Sequence, residues 1–148
     1  MSRAALLLPA LLATAGAWAA DLTVAQLIDA GKVLDHDSVI LATPKPQDAD
    51  MCRGFDLTES QVKAFFHKAV VMDAEALKQA YQWSPCEVQG HLLYQDQKFL
   101  YTVNAAGTGS IEVAPGRYVS FGCNTCQDLF DYGYVLPPAP VSAPAPRS

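Results

Sequence analysis

The segment CEVQGHLLYQDQKFLYTVN, residues 86–104, decides the fold, because its apolar and polar side chains alternate. The apolar positions are Val88, Leu92 and Tyr94 before a turn at residues 95–97, and Phe99, Tyr101 and Val103 after it. A period of two places the apolar side chains of a strand on one face. The segment is therefore predicted to form two antiparallel strands joined by a turn.

The same pattern continues beyond residue 104 and adds two strands. Residues 105–109, AAGTG, and the pair PG at 115–116 are typical of turns, and the strands are marked by Ile111 and Val113 and by Val119 and Phe121. Four strands with short connections predict an antiparallel meander with one apolar face. That face needs a cover. The predicted fold class is therefore α+β, with short helices packed on one face of a four-stranded antiparallel meander that is braced by disulfides.

Helical patterns precede the sheet. The first predicted helix spans residues 22–30, begins at a capping box formed by Thr23 and Gln26, and ends at Gly31 in the C′ position. The main helix follows a second capping box, Thr58 with Gln61. Its apolar stripe consists of Val62, Phe65, Phe66, Ala69 and Val70. This stripe makes the main helix the predicted cover of the sheet.

Two other segments before the sheet have weaker patterns. Asp73 is predicted to cap a short helix from Ala74 to about Gln82, which buries Leu77, Ala80 and Tyr81. Residues 35–50 contain two prolines and four aspartates, so an irregular connection is predicted there, with a short strand at residues 39–41.

The first twenty residues, MSRAALLLPALLATAGAWAA, have the pattern of a secretory signal peptide. Arg3 precedes an apolar stretch, and the small residues at 17–19 precede a predicted cleavage after Ala19 or Ala20. The apolar run at 4–15 is shorter than the roughly 20 residues that span a bilayer. We therefore expect a periplasmic or secreted protein that does not insert into a membrane.

The last twelve residues, PPAPVSAPAPRS at 137–148, hold five of the ten prolines and are predicted to be a disordered Pro/Ala-rich tail. A single α+β domain is expected at residues 21–136. The whole chain has 10 basic and 15 acidic residues. Setting aside Arg3 and Arg147 leaves the domain with 8 basic and 15 acidic residues. Such an acidic surface argues against nucleic-acid binding, favours a basic partner and repels anionic membranes.

The four cysteines, Cys52, Cys86, Cys123 and Cys126, all follow the signal peptide and are expected to form two disulfides. Three pairings are possible. The favoured one joins Cys52 and Cys86 each to the Cys123/Cys126 region, because these bonds would tie the helices to the sheet. The alternative joins Cys52 to Cys86 and Cys123 to Cys126.

The CNTC motif at residues 123–126 also allows a redox-active dithiol, since weakly helical residues follow it and a thiol near a helix N-terminus has a lowered pKa. Against this interpretation, a thioredoxin-like fold needs a large βαβ remainder, and only 22 residues follow Cys126. A structural zinc site usually needs two such motifs, whereas one is present. No metal or cofactor is therefore expected.

Aromatic and acidic residues cluster between this motif and the tail. They are Phe130, Tyr132 and Tyr134, with Asp128 and Asp131 beside them. In one interpretation the rings fold back on the edge of the sheet. In the other they form a partly exposed contact patch for a partner. No histidine pair, nucleotide loop or hydrolase motif indicates catalysis, so the chain is expected not to be an enzyme.

The series FDLTESQVKAFFHKA, SPCEVQG and FGCNTC covers most of residues 51–126 and is similar to small secreted bacterial proteins of uncharacterised function. The layout also resembles, in architecture only, periplasmic inhibitors and immunity proteins. The first functional hypothesis is a non-catalytic periplasmic binding protein, an inhibitor or immunity protein against a basic envelope-acting enzyme. The alternatives are a periplasmic thiol–disulfide oxidoreductase that uses Cys123 and Cys126, and an envelope structural module suggested by the tail.

Overall fold

The structure is a computed structural model that describes residues 23–41 and 46–130. Its helices are α1 (Val24–Ala30), α2 (Pro46–Met51), α3 (Glu59–Lys68) and α4 (Ala74–Ala80). Its strands are β1 (Lys32–Ile40), β2 (Val70–Met72), β3 (Cys86–Tyr94), β4 (Gln97–Asn104), β5 (Thr108–Ala114) and β6 (Arg117–Gly122), and a 3₁₀ turn, Gln127–Leu129, follows β6. The predicted signal peptide and the predicted tail lie outside the described residues.

The six strands form one antiparallel sheet in the order β1-β3-β4-β5-β6-β2. The α+β class and the meander from β3 to β6 are confirmed, whereas the predicted number of four strands is wrong. The two additional strands, β1 and β2, lie at the edges of the sheet. Each pairs with the meander on one side, so neither needs the apolar alternation that marks a strand of the core.

β1 occupies part of the segment that the sequence predicts to be irregular. Its polar sequence, KVLDHDSVI, pairs with β3 from Lys32 opposite Leu93 to Ile40 opposite Cys86. The pairing supplies the backbone hydrogen bonds that its own side chains do not suggest. α2 takes residues 46–51 of the same segment.

The capping boxes at the starts of α1 and α3 are confirmed. In each box the threonine side chain accepts a hydrogen bond from the backbone of the glutamine three residues on, and the glutamine side chain accepts one from the threonine backbone. α3 ends at Lys68, with Ala69 as its C-cap. Val70, predicted to belong to the apolar stripe of the main helix, therefore lies in β2 and is 60% exposed.

Two details of the shorter helices differ from the prediction. α4 is capped by Asp73 as predicted but ends at Ala80, and it buries less than expected, since Leu77 and Tyr81 are half-buried and Ala80 is exposed. Gly31 ends α1 in an extended conformation and not in the left-handed C′ conformation.

α3 covers the apolar face of the meander, as predicted. The Phe66 ring meets the rings of Tyr101 and Phe121 edge to face, at centroid distances of 5.9 and 5.2 Å. Phe65 also lies in the core and packs close to Gly109, where an added Cβ would come within 2.7 Å of the Phe65 ring. The helix therefore sits close enough to β5 to require a residue without a side chain there.

A contact that passes over Gly90 joins β1 to the meander. The Tyr101 hydroxyl donates a hydrogen bond to the backbone oxygen of Asp35 at 2.8 Å. A Cβ on Gly90 would lie 1.9 Å from that oxygen and 2.7 Å from the Tyr101 hydroxyl, so a residue with a side chain would prevent the contact. Burial raises the pKa of Tyr101, which keeps its hydroxyl protonated and able to donate.

The disulfides are Cys52–Cys86 and Cys123–Cys126. The favoured pairing, which joined Cys52 and Cys86 to the CxxC region, is wrong, and the alternative is what the structure contains. The reason is the position of β1: its last residue, Ile40, lies opposite Cys86, and the chain then returns through α2 to bring Cys52 beside Cys86. Two disulfides indicate an oxidising, extracytoplasmic location.

Removal of the Tyr101 hydroxyl tests the contact over Gly90. Tyr101→Phe takes a donor from the Asp35 carbonyl, so we expect the free energy of unfolding to fall by about 1–2 kcal/mol in urea denaturation. Tyr94→Phe is the control, because the Tyr94 hydroxyl interacts at 3.4 Å with the exposed Gln95 side chain. Its effect should stay within about 0.5 kcal/mol. Equal effects of the two variants would contradict the proposed importance of the contact.

The two disulfides are expected to contribute unequally to stability. Cys52–Cys86 joins residues 34 apart, whereas Cys123–Cys126 joins residues 3 apart. Restriction of the unfolded chain is worth about 4 kcal/mol for the longer loop and about 2 kcal/mol for the shorter one. Calorimetry should therefore show a larger decrease in Tm for Cys52→Ala/Cys86→Ala than for Cys123→Ala/Cys126→Ala. The opposite order would show that loop closure does not determine their contributions.

Candidate functional site

The side of the sheet opposite α1 and α3 carries polar side chains, and we call it the open face. Its members include Asp35, Asp37, Gln89, His91, Leu100, Thr102, Ser110, Glu112 and Ser120. Tyr81, which follows α4, packs over the end of this face near Gly107 and Gly122. Tyr81 does not cover the middle of the open face or its β1 side. These two regions are therefore the candidate binding surface.

Strand register aligns small polar side chains across the middle of the open face. Asp37 lies opposite Gln89, Gln89 opposite Thr102, and Thr102 opposite Ser110, which in turn faces Ser120. The Thr102 and Ser110 hydroxyls are 3.0 Å apart and hydrogen-bonded. The side chains of this row are short and carry many hydrogen-bond donors and acceptors. The row therefore forms a level polar surface across five strands.

At the β1 side of the open face, Asp35 and His91 form a pair. The Asp35 carboxylate accepts a hydrogen bond from the His91 backbone N–H, and its two oxygens lie 3.0 and 3.1 Å from the His91 Nδ1. The two residues lie opposite each other in the sheet, immediately after a register shift between Val33 and Asp35. The shift in β1 therefore positions the carboxylate beside the imidazole.

Opposing effects act on the pKa of the Asp35 carboxyl. Desolvation, the largest of them, raises it, while the hydrogen bonds from the His91 side chain and backbone and the charges of His91 and Lys98 lower it. The net result is a pKa below the ordinary value of 3.8. Asp35 is therefore ionised at neutral pH and presents a negative charge at this end of the open face.

A cleft of about 180 Å³ surrounds the pair. Its lining residues are Asp35, Asp37, Val39, Gln89, Gly90, His91 and Leu100. A carboxylate that orients a histidine is part of many hydrolytic sites, but those sites also hold a nucleophile within hydrogen-bond reach of the imidazole. The lining of this cleft contains no serine, threonine or cysteine. The lining supplies two carboxylates, an imidazole, an amide and apolar side chains.

Three aspartates on or beside β1 have histidine as their basic neighbour. Asp35 pairs with His91 at 3.0 Å, Asp29 lies 3.6 Å from His67, and Asp56 lies 3.7 Å from His36. Together with Asp37 we call Asp29, Asp35 and Asp56 the β1 acidic surface. It runs around the free edge of β1: Asp35 and Asp37 lie on the open face, and Asp29 and Asp56 lie on the helix side. The Asp29 and Asp56 side chains are 71% and 66% exposed. The four acidic side chains therefore make the edge of the sheet at β1 an acidic surface.

The contact patch considered from the sequence is only partly within the described residues. Phe130 is 8% exposed and packs against Phe55 at a centroid distance of 5.6 Å, so its ring belongs to the core. Asp128 is exposed and forms an ion pair with Lys68 at 2.9 Å. Tyr132, Tyr134 and Asp131 lie outside the described residues.

The cysteine sulfurs of the CxxC motif are enclosed. Cys123 is 2% exposed and Cys126 is fully buried, and the two form a disulfide. Thiol–disulfide exchange begins with attack of an external thiolate on a disulfide sulfur, which requires access. The burial of both residues argues against the redox alternative.

The Asp35–His91 pair was not anticipated from the sequence. The two residues are 56 positions apart, and only the register of β1 against β3 brings them together. The available signal was the polar side of the alternating pattern in β3, which places Gln89 and His91 on one face. That pattern shows which side chains of β3 face solvent, but it does not show that β1 lies beside β3.

The lowered pKa of Asp35 predicts a pH-dependent contribution to stability. Ionised Asp35 stabilises the fold above the ordinary pKa of 3.8, and this contribution disappears as the pH falls through the lower folded value. We therefore expect Asp35→Asn to reduce Tm at about pH 6 and to match the wild type near about pH 2. Asp96→Asn, in the β3–β4 turn, is the matched control. A Tm difference that did not change with pH would contradict the assignment.

The described part of the chain contains neither a metal-binding cluster nor a membrane-spanning helix, and the chain resembles no known family. Within residues 23–41 and 46–130, no three histidine, cysteine, aspartate or glutamate side chains come together as a metal site. The same ranges contain no helix that is both long and apolar enough to cross a membrane. No protein-family model matches the chain, and neither a curated protein nor a solved structure was found to be similar to it.

Proposed function

We propose that the protein is a non-catalytic extracytoplasmic binding protein that docks a basic protein partner on the β1 acidic surface. The single observation that carries the proposal is the arrangement of Asp29, Asp35 and Asp56 around the edge of β1, where the ion-pair contacts of these three carboxylates in the described ranges are to histidines, while Lys63 and Lys98 act on Asp29 and Asp35 from farther away. Such carboxylates leave a local excess of negative charge that a basic partner would neutralise.

The charge of the whole chain supports this proposal. The sequence contains 15 acidic and 10 basic residues. Complementary charge accelerates encounter and selects among partners, and it does so most strongly where several like charges lie on one surface. The β1 acidic surface is such a place, and the neighbouring row of small polar side chains offers a level area on which a partner can rest.

The geometry of the open face supports a binding role over catalysis. Catalysis by the Asp35–His91 pair would require a nucleophile or a positioned water beside the imidazole. The cleft lining supplies carboxylates, an amide and apolar side chains instead. These groups suit recognition of a donor-rich partner surface, because carboxylate and amide oxygens accept hydrogen bonds from lysine and arginine.

The partner class that best fits this surface is a basic enzyme of the cell envelope, which makes the protein an inhibitor or immunity protein. Two features support that assignment: the extracytoplasmic location indicated by the disulfides, and the rigid sheet that presents the acidic residues. A rigid surface loses little conformational entropy when it binds.

A charge-matched pair of variants tests the proposal. The exported protein is used as bait in envelope extract, and captured proteins are identified by mass spectrometry. Asp37→Asn/Asp56→Asn removes two charges from the β1 acidic surface, whereas Glu75→Gln/Asp96→Asn removes two charges from α4 and the β3–β4 turn. We expect the first variant to lower the association rate of a basic partner about tenfold at low salt. The second should bind like the wild type.

Salt dependence separates this docking mode from apolar association. Binding of the wild type should weaken as ionic strength rises, because a shorter Debye length screens exposed charges. Capture of no basic protein at low salt would refute the proposal. So would equal losses of binding in the two double variants.

A further inference from the structure

Trp83 is the most exposed large apolar side chain in the described ranges, with 66% of its surface open to solvent. It lies between α4 and β3, in a segment whose next residues, Ser84 and Pro85, are buried. Large aromatic side chains are costly to leave in water, so an exposed indole that borders a cleft is a candidate contact for a bound molecule.

The backbone beside Trp83 is fixed. The Asn104 side chain donates a hydrogen bond to the Ser84 carbonyl at 2.9 Å, and the Ser84 hydroxyl accepts one from the Cys86 backbone N–H at 3.2 Å. Cys86 is in turn held by its disulfide. The exposure of Trp83 is therefore imposed by a rigid anchor and is not the fraying of a loose loop.

A second aromatic ring stands next to Trp83. The Tyr81 hydroxyl donates a hydrogen bond to the Asn124 side-chain oxygen at 2.7 Å, and the Tyr81 ring lies against Gly107 and Gly122. A Cβ on Gly122 would come within 2.7 Å of the ring, so the glycine permits this position. Burial raises the pKa of Tyr81, which keeps the hydroxyl neutral and bonded to Asn124.

These rings border a cleft of about 250 Å³, which we call the Trp83 cleft. Its lining residues are Leu77, Lys78, Tyr81, Gln82, Trp83 and Thr108. Clefts that hold drug-sized ligands measure about 300–1,000 Å³, so this one accommodates a single ring with its substituents. The lining combines aromatic surface with an ammonium, an amide and a hydroxyl, and it contains no carboxylate.

We infer that the Trp83 cleft binds a gluco-configured pyranose ring of an extracytoplasmic glycan. Such a ring has equatorial substituents, which leave axial C–H groups on both faces. These C–H groups carry a small positive charge and are attracted to the negative face of an indole or phenol ring. The hydroxyl and acetamido substituents at the ring edge would then reach Lys78, Gln82 and Thr108.

The charge of the lining favours a sugar over the basic protein partner proposed for the β1 acidic surface. An arginine or lysine stacked on Trp83 would share the cleft with the Lys78 ammonium, and the two like charges would repel each other. The two sites also occupy different parts of the sheet, since Thr108 begins β5 whereas Asp35 lies in β1, with β3 and β4 between these strands. The sugar site is thus independent of the protein-binding site, and the two can be tested separately.

The test uses the fluorescence of Trp83. The sequence contains two tryptophans, and Trp18 lies in the predicted signal peptide, so Trp83 is the single tryptophan reporter of the exported protein. The exported protein, with both disulfides intact, is titrated with the β-1,4-linked trisaccharide of N-acetylglucosamine and, separately, with β-1,4-linked galactotriose. We expect a saturable blue shift with the first sugar and at least tenfold weaker binding of the second, whose axial hydroxyl disrupts one stacking face.

Three variants, measured by isothermal titration calorimetry, identify the groups involved. Trp83→Ala should lower affinity for the N-acetylglucosamine trisaccharide at least tenfold with an unchanged Tm, because the side chain is exposed. Thr108→Val removes one hydroxyl at similar volume and should weaken binding several-fold. Tyr118→Ala is the control, because Tyr118 is an exposed aromatic, 57% open to solvent, outside the cleft lining.

The inference is overturned if neither trisaccharide binds, if Trp83→Ala binds like the wild type, or if Tyr118→Ala loses as much affinity as Trp83→Ala. It is also overturned if the wild type binds no sugar but captures a protein from envelope extract, and Trp83→Ala no longer captures that protein. That last result would make Trp83 an anchor for a protein, whatever the outcome for the β1 acidic surface.

Discussion

The hydrogen bond from the Tyr101 hydroxyl to the Asp35 carbonyl is the interaction on which the other features of the sheet depend. It crosses a space that exists because residue 90 is glycine. It reinforces the backbone pairing with β3 that makes β1, a polar strand with little apolar surface, a member of the sheet. Once β1 is placed, its register brings Asp35 beside His91 and Ile40 beside Cys86. The acidic surface and the longer disulfide both follow from that placement.

The two faces of the sheet perform different tasks. One face packs Phe65, Phe66 and their neighbours against the meander and supplies most of the buried apolar area. The other face carries hydroxyls, amides and carboxylates in register, with an aromatic cleft at one end. Because the helices on the first face hold the strands, the second face remains rigid without a cover of its own. Rigidity and accessibility are both required of a surface that binds.

The parts of the fold with local signals could be predicted from the sequence. The capping boxes at Thr58 and Thr23, the stripe on α3 and the alternation from Cys86 onward are each readable within about ten residues. β1 could not be predicted, because an edge strand with a polar sequence carries no periodic signal. The Asp35–His91 pair and the Trp83 cleft depend on contacts between distant segments. From the sequence alone, an isolated tryptophan is as consistent with a buried core residue as with an exposed residue beside a cleft.

The order of the cysteines along the chain has a consequence for biosynthesis. Each disulfide joins cysteines that are consecutive in the sequence, the first to the second and the third to the fourth. A chain that enters an oxidising compartment from its N-terminus presents Cys52 first and Cys86 next, so an oxidase that joins thiols as they arrive makes the native bonds directly. Crossed pairings would require thiol–disulfide exchange to rearrange early bonds. The consecutive pairing therefore reduces the need for an isomerase during maturation.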